Sequence, residues 1–225
     1  MLNRIDAAIQ NNVIWCDLVC QSHGVAGKTS GHLWGVLSNA PPYYPDMITL
    51  NKNMTVQEIQ DFIGSREIRA IKDSFANVEL TPLGFKLLFS AEWIYHAPIH
   101  LDENTSSAWR VVTTEHELEK WNLAHASENV IKPSLLNRDD VRIFIQNEGD
   151  GISGFIANLG ADTMGISNVF SAQGVDKQLW ADIIKAASLE FPGVPMVGYE
   201  HGKDLEMALL AGWQSLGPLR VWSNS

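Results

Sequence analysis

Apolar positions recur every three to four residues through Ile5, Ile9, Val13, Cys16 and Cys20, which predicts a first helix over residues 5–21. The stretch His23-Gly24-Val25-Ala26-Gly27-Lys28-Thr29-Ser30 breaks that period and reads as a helix stop and connector. Its Gly27-Lys28-Thr29 has the ending of a phosphate-binding P-loop. The position five places before Gly27 is Ser22, however, and the stretch follows a helix instead of a buried strand, so the motif fails. Two strands are expected at residues 32–38 and 46–50, separated by a turn with three prolines and two tyrosines of exposed type, Tyr43 and Tyr44. Thr55 and Glu58 have capping-box spacing before a short helix, Val56–Ile63. A strand is expected at residues 68–72. Leu83-Gly84-Phe85 then leads into an apolar strand at residues 86–95 that contains Trp93.

Residues 96–107 carry a proline, short polar residues and no period, the pattern of a linker. This divides the chain into an N-terminal α/β domain (residues 1–97), a linker (98–107) and a C-terminal domain (108–225). The second part opens with a strand at 109–113 and a helix at 115–126, capped by Thr114 with Glu117 in the capping-box position. A helical turn is expected at Pro133–Asn137. Strands at 141–146 and 152–159 form a hairpin around Asn147-Glu148-Gly149-Asp150-Gly151. An apolar strand (164–170), a turn holding Gly174 and the helix Lys177–Glu190 follow, the helix with Leu179, Trp180, Ile183, Ile184 and Ala187 on one face. A strand (195–200), a helix (203–211) stopped by Gly212 and a strand to Trp222 complete the pattern. Gly84-Phe85 before a strand to Trp93 is echoed by Gly212-Trp213 before a strand to Trp222, which suggests an internal repeat.

Composition narrows the function classes. The chain is 45% hydrophobic with eight Trp and eight Phe, ample for a packed core. Its formal charge is −10, from 26 acidic against 16 basic residues, which argues against a nucleic-acid partner. Apolar runs are too short for a membrane span and no signal-peptide pattern opens the sequence, so a cytoplasmic protein without a membrane partner is expected. Cys16 and Cys20 lie on the first helix's apolar stripe and read as buried thiols, with no metal-ligand set around them.

From Trp109 onward the order is strand, helix, helical turn, three strands, helix, strand, helix, strand. With Gly174 at the turn and Gly212-Trp213 before the last strand, this resembles the GNAT superfamily of N-acyltransferases. The resemblance covers the C-terminal half. It implies an α/β (α+β) fold: a mixed, mostly antiparallel sheet flanked by helices, beside an N-terminal α/β domain that is either a truncated duplicate or unrelated. It also implies acyl transfer, acetyl in the first instance, from acetyl-CoA or another acyl-CoA to a small-molecule or protein amine, without a metal. A homodimer paired through strand edges is compatible with it. The alternative is a non-catalytic binding protein of the same fold that has lost its acyl-CoA site.

In the family a Gln/Arg-x-x-Gly-x-Gly/Ala turn holds the diphosphate. Here only Gly174 matches, with Ser171 and Asp176 at the first and last positions. His201 stands where the family has Asn, and Ala208 where it often has a Tyr acid. The cofactor-binding stretch implied is Val169, Phe170, Ser171, Gln173, Gly174, Val175, Asp176 and Lys177. Glu200 is the candidate general base, with Tyr199 or His201 as proton donor. Strand alternation sets Tyr199 and Glu200 on opposite faces. Asn168, inside an apolar strand, is either a structural tie or a site residue. Should the halves pack face to face, Tyr43, Tyr44, Asp46, Glu92 and Trp93 would wall an acceptor pocket between them.

Overall fold

The computed structural model describes residues 2–102, 104–127, 129–149 and 151–224. Asp150, in the expected hairpin turn, and Glu103, in the expected linker, lie outside the described residues. The N-terminal half contains α1 (Arg4–Ser22), β1 (Gly27–Ser30), β2 (Leu33–Val36), β3 (Met47–Thr49), α2 (Val56–Ile63), β4 (Ala70–Asp73) and β5 (Lys86–His96). The C-terminal half contains β6 (Arg110–Val111), α3 (Glu115–His125), β7 (Val141–Glu148), β8 (Gly151–Gly160), β9 (Thr163–Phe170), α4 (Lys177–Glu190), β10 (Met196–Glu200), α5 (Gly202–Leu210) and β11 (Gln214–Ser223). Single 3-10 turns at Thr81–Leu83 and Pro133–Asn137 precede β5 and β7.

Local chemistry explains most helix starts. The Thr55 N–H donates to the Glu58 carboxylate at 2.9 Å while the Thr55 hydroxyl accepts from the Glu58 N–H, closing a capping box at α2. Thr114 caps α3 as expected. Glu117, though, reaches one residue further back and accepts from the Thr113 N–H at 3.2 Å, so the reciprocal bond bypasses the cap. Residues 27–30 are a strand and not a connector, paired antiparallel from Gly27↔Val36 to Ser30↔Leu33. This edge strand is mostly exposed and polar, so no apolar alternation marks it.

All the described strands join one sheet in the order β1-β2-β3-β4-β11-β5-β10-β9-β8-β7-β6. The halves are therefore joined edge to edge, not face to face. They also exchange strands at the centre: β11, from the end of the chain, lies between β4 and β5, while β5 lies between β11 and β10. Reading outward from the β11–β5 pair, the order of elements corresponds on the two sides. β4 pairs parallel with β3 (Met47↔Ile71, Ile48↔Lys72), and β10 pairs parallel with β9 (Met196↔Met164, Val197↔Gly165). The two central strands also begin alike, each after a glycine with positive φ, 87° at Gly84 and 102° at Gly212.

Alternation along the strands divides the side chains between two layers. Met164, Ile94 and Met196 pack with Leu179, Trp180, Ile183 and Ile184 of α4. Leu33, Met47 and Ile71 pack with Ile59 of α2 on that same side. The opposite face carries α1 and α3. Here α1 feeds three cores: Ala8 and Ile9 against Trp93 and Val197, Val13 and Cys16 against Trp34 and Ile48, and Trp15 and Val19 against Trp121 and Ile156. Both cysteines are buried free thiols.

Candidate active site

Between β9 and β10 the sheet opens. Their pairing ends after Val197↔Gly165, and β9 then bends through a bulge, since Ile156 pairs with Ser167 but Gly154 with Phe170. Asn168 sits at this extra residue with φ 54°, a conformation that asparagine tolerates better than most residues. Its side-chain amide donates to the Ser167 hydroxyl at 2.9 Å. A cavity of about 770 Å³ lies under α1 and runs into this opening. That volume falls in the range of small-molecule sites.

The structure brings the three catalytic candidates, Tyr199, Glu200 and His201, to the lining of this one cavity. Tyr199 faces α1, with its ring edge-on to Trp93 at 5.6 Å. Glu200 points the other way, toward Asp204 of α5. The cavity therefore reaches both faces of the sheet through the gap beside β10. Part of Glu200 is open to the cavity, but its carboxyl is closely surrounded by protein. Desolvation, reinforced by the Asp204 charge and opposed by the His201 main-chain N–H, pushes that carboxyl up to about 8. His201 is exposed, precedes α5 without a capping side-chain bond, and stacks on Phe89 at 4.9 Å.

The acceptor-side candidates separate. Asn168, Tyr43, Tyr44 and Trp93 line the cavity whereas Asp46 and Glu92 do not, and Trp93 is fully buried with its indole N–H donating to the Ser74 carbonyl at 2.8 Å. Tyr44 is not exposed. Burial of its hydroxyl raises its proton affinity, and the nearby Asn168 and Trp15 only partly offset this. No hydrogen bond of standard geometry reaches that hydroxyl among the described residues. Tyr43 is 72% exposed, with φ 69°, and stands at the rim, its hydroxyl 3.4 Å from the Ala126 carbonyl.

Of the turn residues only Val169 lines the cavity. Phe170 is committed to Trp121 and His125, with ring centroids 5.1 Å away in both cases. Three of the turn's amides are engaged within the protein: Ala172 N–H to Ser153 Oγ, Gln173 N–H to Ser171 Oγ, and Gly174 N–H to the Ser171 carbonyl. Asp176 caps α4 by accepting from the Leu179 N–H at 2.8 Å. The carboxylate thus sits where a phosphate would meet the helix N-terminus. Gln173, Gly174 and Lys177 are exposed and Val175 is half-buried.

Sequence reasoning missed several wall residues. Lys72, read only as the end of a strand, is 2% exposed and lines the cavity. Asn11 and Asn12 on α1 line it too. His125, a candidate base from the sequence that its place near a helix C-terminus also explains, lines it as well, with Nδ1 buried without a partner among the described residues and its proton affinity lowered by burial. A charged residue inside the run Ala70-Ile71-Lys72-Asp73 was the one available signal. Among the described residues no group of three or more His, Cys, Asp or Glu is placed to hold a metal ion. No helix among them is long and apolar enough to cross a membrane.

A large, mostly antiparallel sheet flanked by helices, opened between two parallel strands beside a bulge, is a GNAT-like fold. Solved structures agree. A conserved protein of unknown function from Staphylococcus epidermidis is similar over 97% of this chain and 99% of its own, with TM-score 0.62 at 12% identity. A protein from Novosphingobium aromaticivorans assigned to the GNAT family of acetyltransferases is similar over the same shares, with TM-score 0.60 at 9% identity. No family model matches the sequence, and no curated protein matches it.

Proposed function

We propose that the protein is an N-acyltransferase, moving an acyl group from acyl-CoA, acetyl in the simplest case, to an amine held in the cavity. The observation that carries this reading is Glu200: a carboxyl with proton affinity near 8, placed beside the gap between β9 and β10. Such a group is matched to removing a proton from an ammonium near neutral pH. In this reading ionised Glu200 takes the ammonium proton, directly or through water. The freed amine nitrogen forms a C–N bond to the thioester carbonyl carbon. Main-chain N–H groups released by the Asn168 bulge stabilise the developing oxyanion. The C–S bond then breaks, Tyr199 or His201 supplies a proton to the sulfur, and the second proton shed by the acylated nitrogen restores that donor.

The fit to the acyl donor is uneven. The gap suits a thioester, whereas the engaged amides and Asp176 do not suit a diphosphate in the family manner, and no step above depends on that contact. Following free thiol from acetyl-CoA across an amine panel is the direct test. Thiol release that falls by about 100-fold or more in Glu200→Gln is expected. No release with any amine, together with no CoA binding in calorimetry at about 1 mM, overturns the reading.

A second reading, a non-catalytic ligand-binding protein, is favoured by the capped helix and by Ala208, which is fully buried where the family often places its tyrosine. Ligand binding in the cavity without thiol release would select it.

A further inference from the structure

Lys72 is the charged group that the acyltransfer scheme leaves unused. It follows Ile71, which packs with Ile59 of α2, so alternation turns Lys72 toward α1 and the cavity. Its Nζ donates to Asn12 Oδ1 at 2.8 Å and lies 4.1 Å from the Tyr199 ring centroid and 6.0 Å from that of Trp93. The ion pairs among the described residues involve other side chains, and none of their carboxylates comes within 4.0 Å of this nitrogen. Cys16, the neighbouring thiol, is held protonated by burial and supplies no counter-charge.

An ammonium taken out of water without an opposite charge is costly, and a neutral amide and an aromatic face compensate only part of that. One of its three N–H donors is used by Asn12, leaving donors for something that enters the cavity. Buried Asp46, by comparison, receives N–H groups from Ala40 and Arg69 and the Arg69 guanidinium as well. Lys72 and Tyr199 share the α1 face, and Glu200 is reached from there through the opening beside β10.

We propose that the cavity takes an acceptor bearing a carboxylate as well as its amine, the carboxylate received by Lys72 Nζ and the amine directed toward Glu200. This rests on the acyltransfer reading for the fate of the amine, but not for the carboxylate contact. The amphoteric arrangement selects amino acids over simple amines and over polyamines, which would bring a second cation toward Lys72.

The test uses the intact protein and ω-amino acids from glycine to 6-aminohexanoate, each against its own carboxamide, with binding read by calorimetry without CoA. At least one acid is expected to bind about tenfold or more tightly than its amide, since a charge-assisted bond is lost in the amide. Lys72→Met should remove that difference while leaving amide binding in place. A ratio below about tenfold throughout the wild-type series, no binding by any acid at about 10 mM, or an undiminished acid preference in Lys72→Met each overturns the proposal. If Lys72→Met does not fold, the wild-type comparison decides alone. Thiol release from acetyl-CoA is measured separately. Acid preference without release removes the acyltransfer reading and keeps the carboxylate site. Equal release with acids and amides does the reverse.

Discussion

Asn11 and Asn158 bond reciprocally: Asn158 Nδ2 donates to Asn11 Oδ1 at 3.1 Å, and Asn11 Nδ2 donates to the Asn158 carbonyl at 3.2 Å. The Asn11 amide also reaches the Gly160 and Thr163 carbonyls, at 3.1 and 3.2 Å. This buried cluster ties α1, at the start of the chain, to the β8–β9 hairpin that forms one side of the cavity. Gly165 makes it possible, since a Cβ there would stand 2.0 Å from Asn11 Oδ1. Gly165→Ala is expected to destabilise by about 1–3 kcal/mol through overpacking, and Asn11→Ala by about 1–3 kcal/mol through orphaned buried groups. Denaturant unfolding measures both, and an unchanged midpoint in either variant counts against the tie.

Glu200 makes stability depend on pH in a direction unusual for a carboxylate. Its folded value, about 8, lies above its ordinary value of 4.5. Across that window the folded chain keeps a proton that the unfolded chain has released, so stability declines as pH rises. Glu200→Gln, which stays neutral, should match the wild type near pH ~4 and exceed it above pH ~8, with a gain in Tm of at least ~3 °C. Thermal melts across pH decide it; a variant with the same pH profile as the wild type contradicts the buried carboxyl.

The same group predicts a rate profile. In the acyltransfer reading kcat/KM rises with pH and levels off above an apparent pKa of about 8. A profile flat from pH ~6 to ~9 would take Glu200 out of proton transfer.

Asp176 is expected to have opposite effects on stability and on anion binding. Asp176→Ala loses the cap on α4 at a cost of ~1 kcal/mol, whereas Asp176→Gly loses only a few tenths of that (about 0.3 kcal/mol). Both remove a carboxylate from the helix N-terminus, so CoA should bind about three- to tenfold more tightly to either variant. Calorimetry showing CoA affinity unchanged in both variants would mean the turn is not a diphosphate site at all.

Local signals in the sequence report local structure faithfully. The capping box at Thr55 and Glu58 and the bounds of α4 are legible because both depend on residues within one or two turns. The GNAT-like order of the second half is legible for the same reason, since it is a sequence of periods and stops. By contrast, β1 is four mostly exposed residues held by backbone bonds to β2, and no side-chain pattern announces it. The meeting of β5 with β11 joins residues more than a hundred positions apart, and only the echo of Gly84-Phe85 in Gly212-Trp213 hinted at it. In the site, Tyr199, Glu200 and Asn168 were within reach because they lie on the strands the resemblance singles out. Lys72, Asn11 and Asn12 were not, because their place on the wall depends on how α1 crosses the sheet.

The placement of β11 has a consequence for how the chain is made. During synthesis β4 and β5 are complete long before residue 214 exists, yet the slot between them belongs to the last strand. Until then both carry open hydrogen-bonding edges, so the middle of the sheet is the final part to close. A chain cut before residue 214 therefore loses the centre of its sheet.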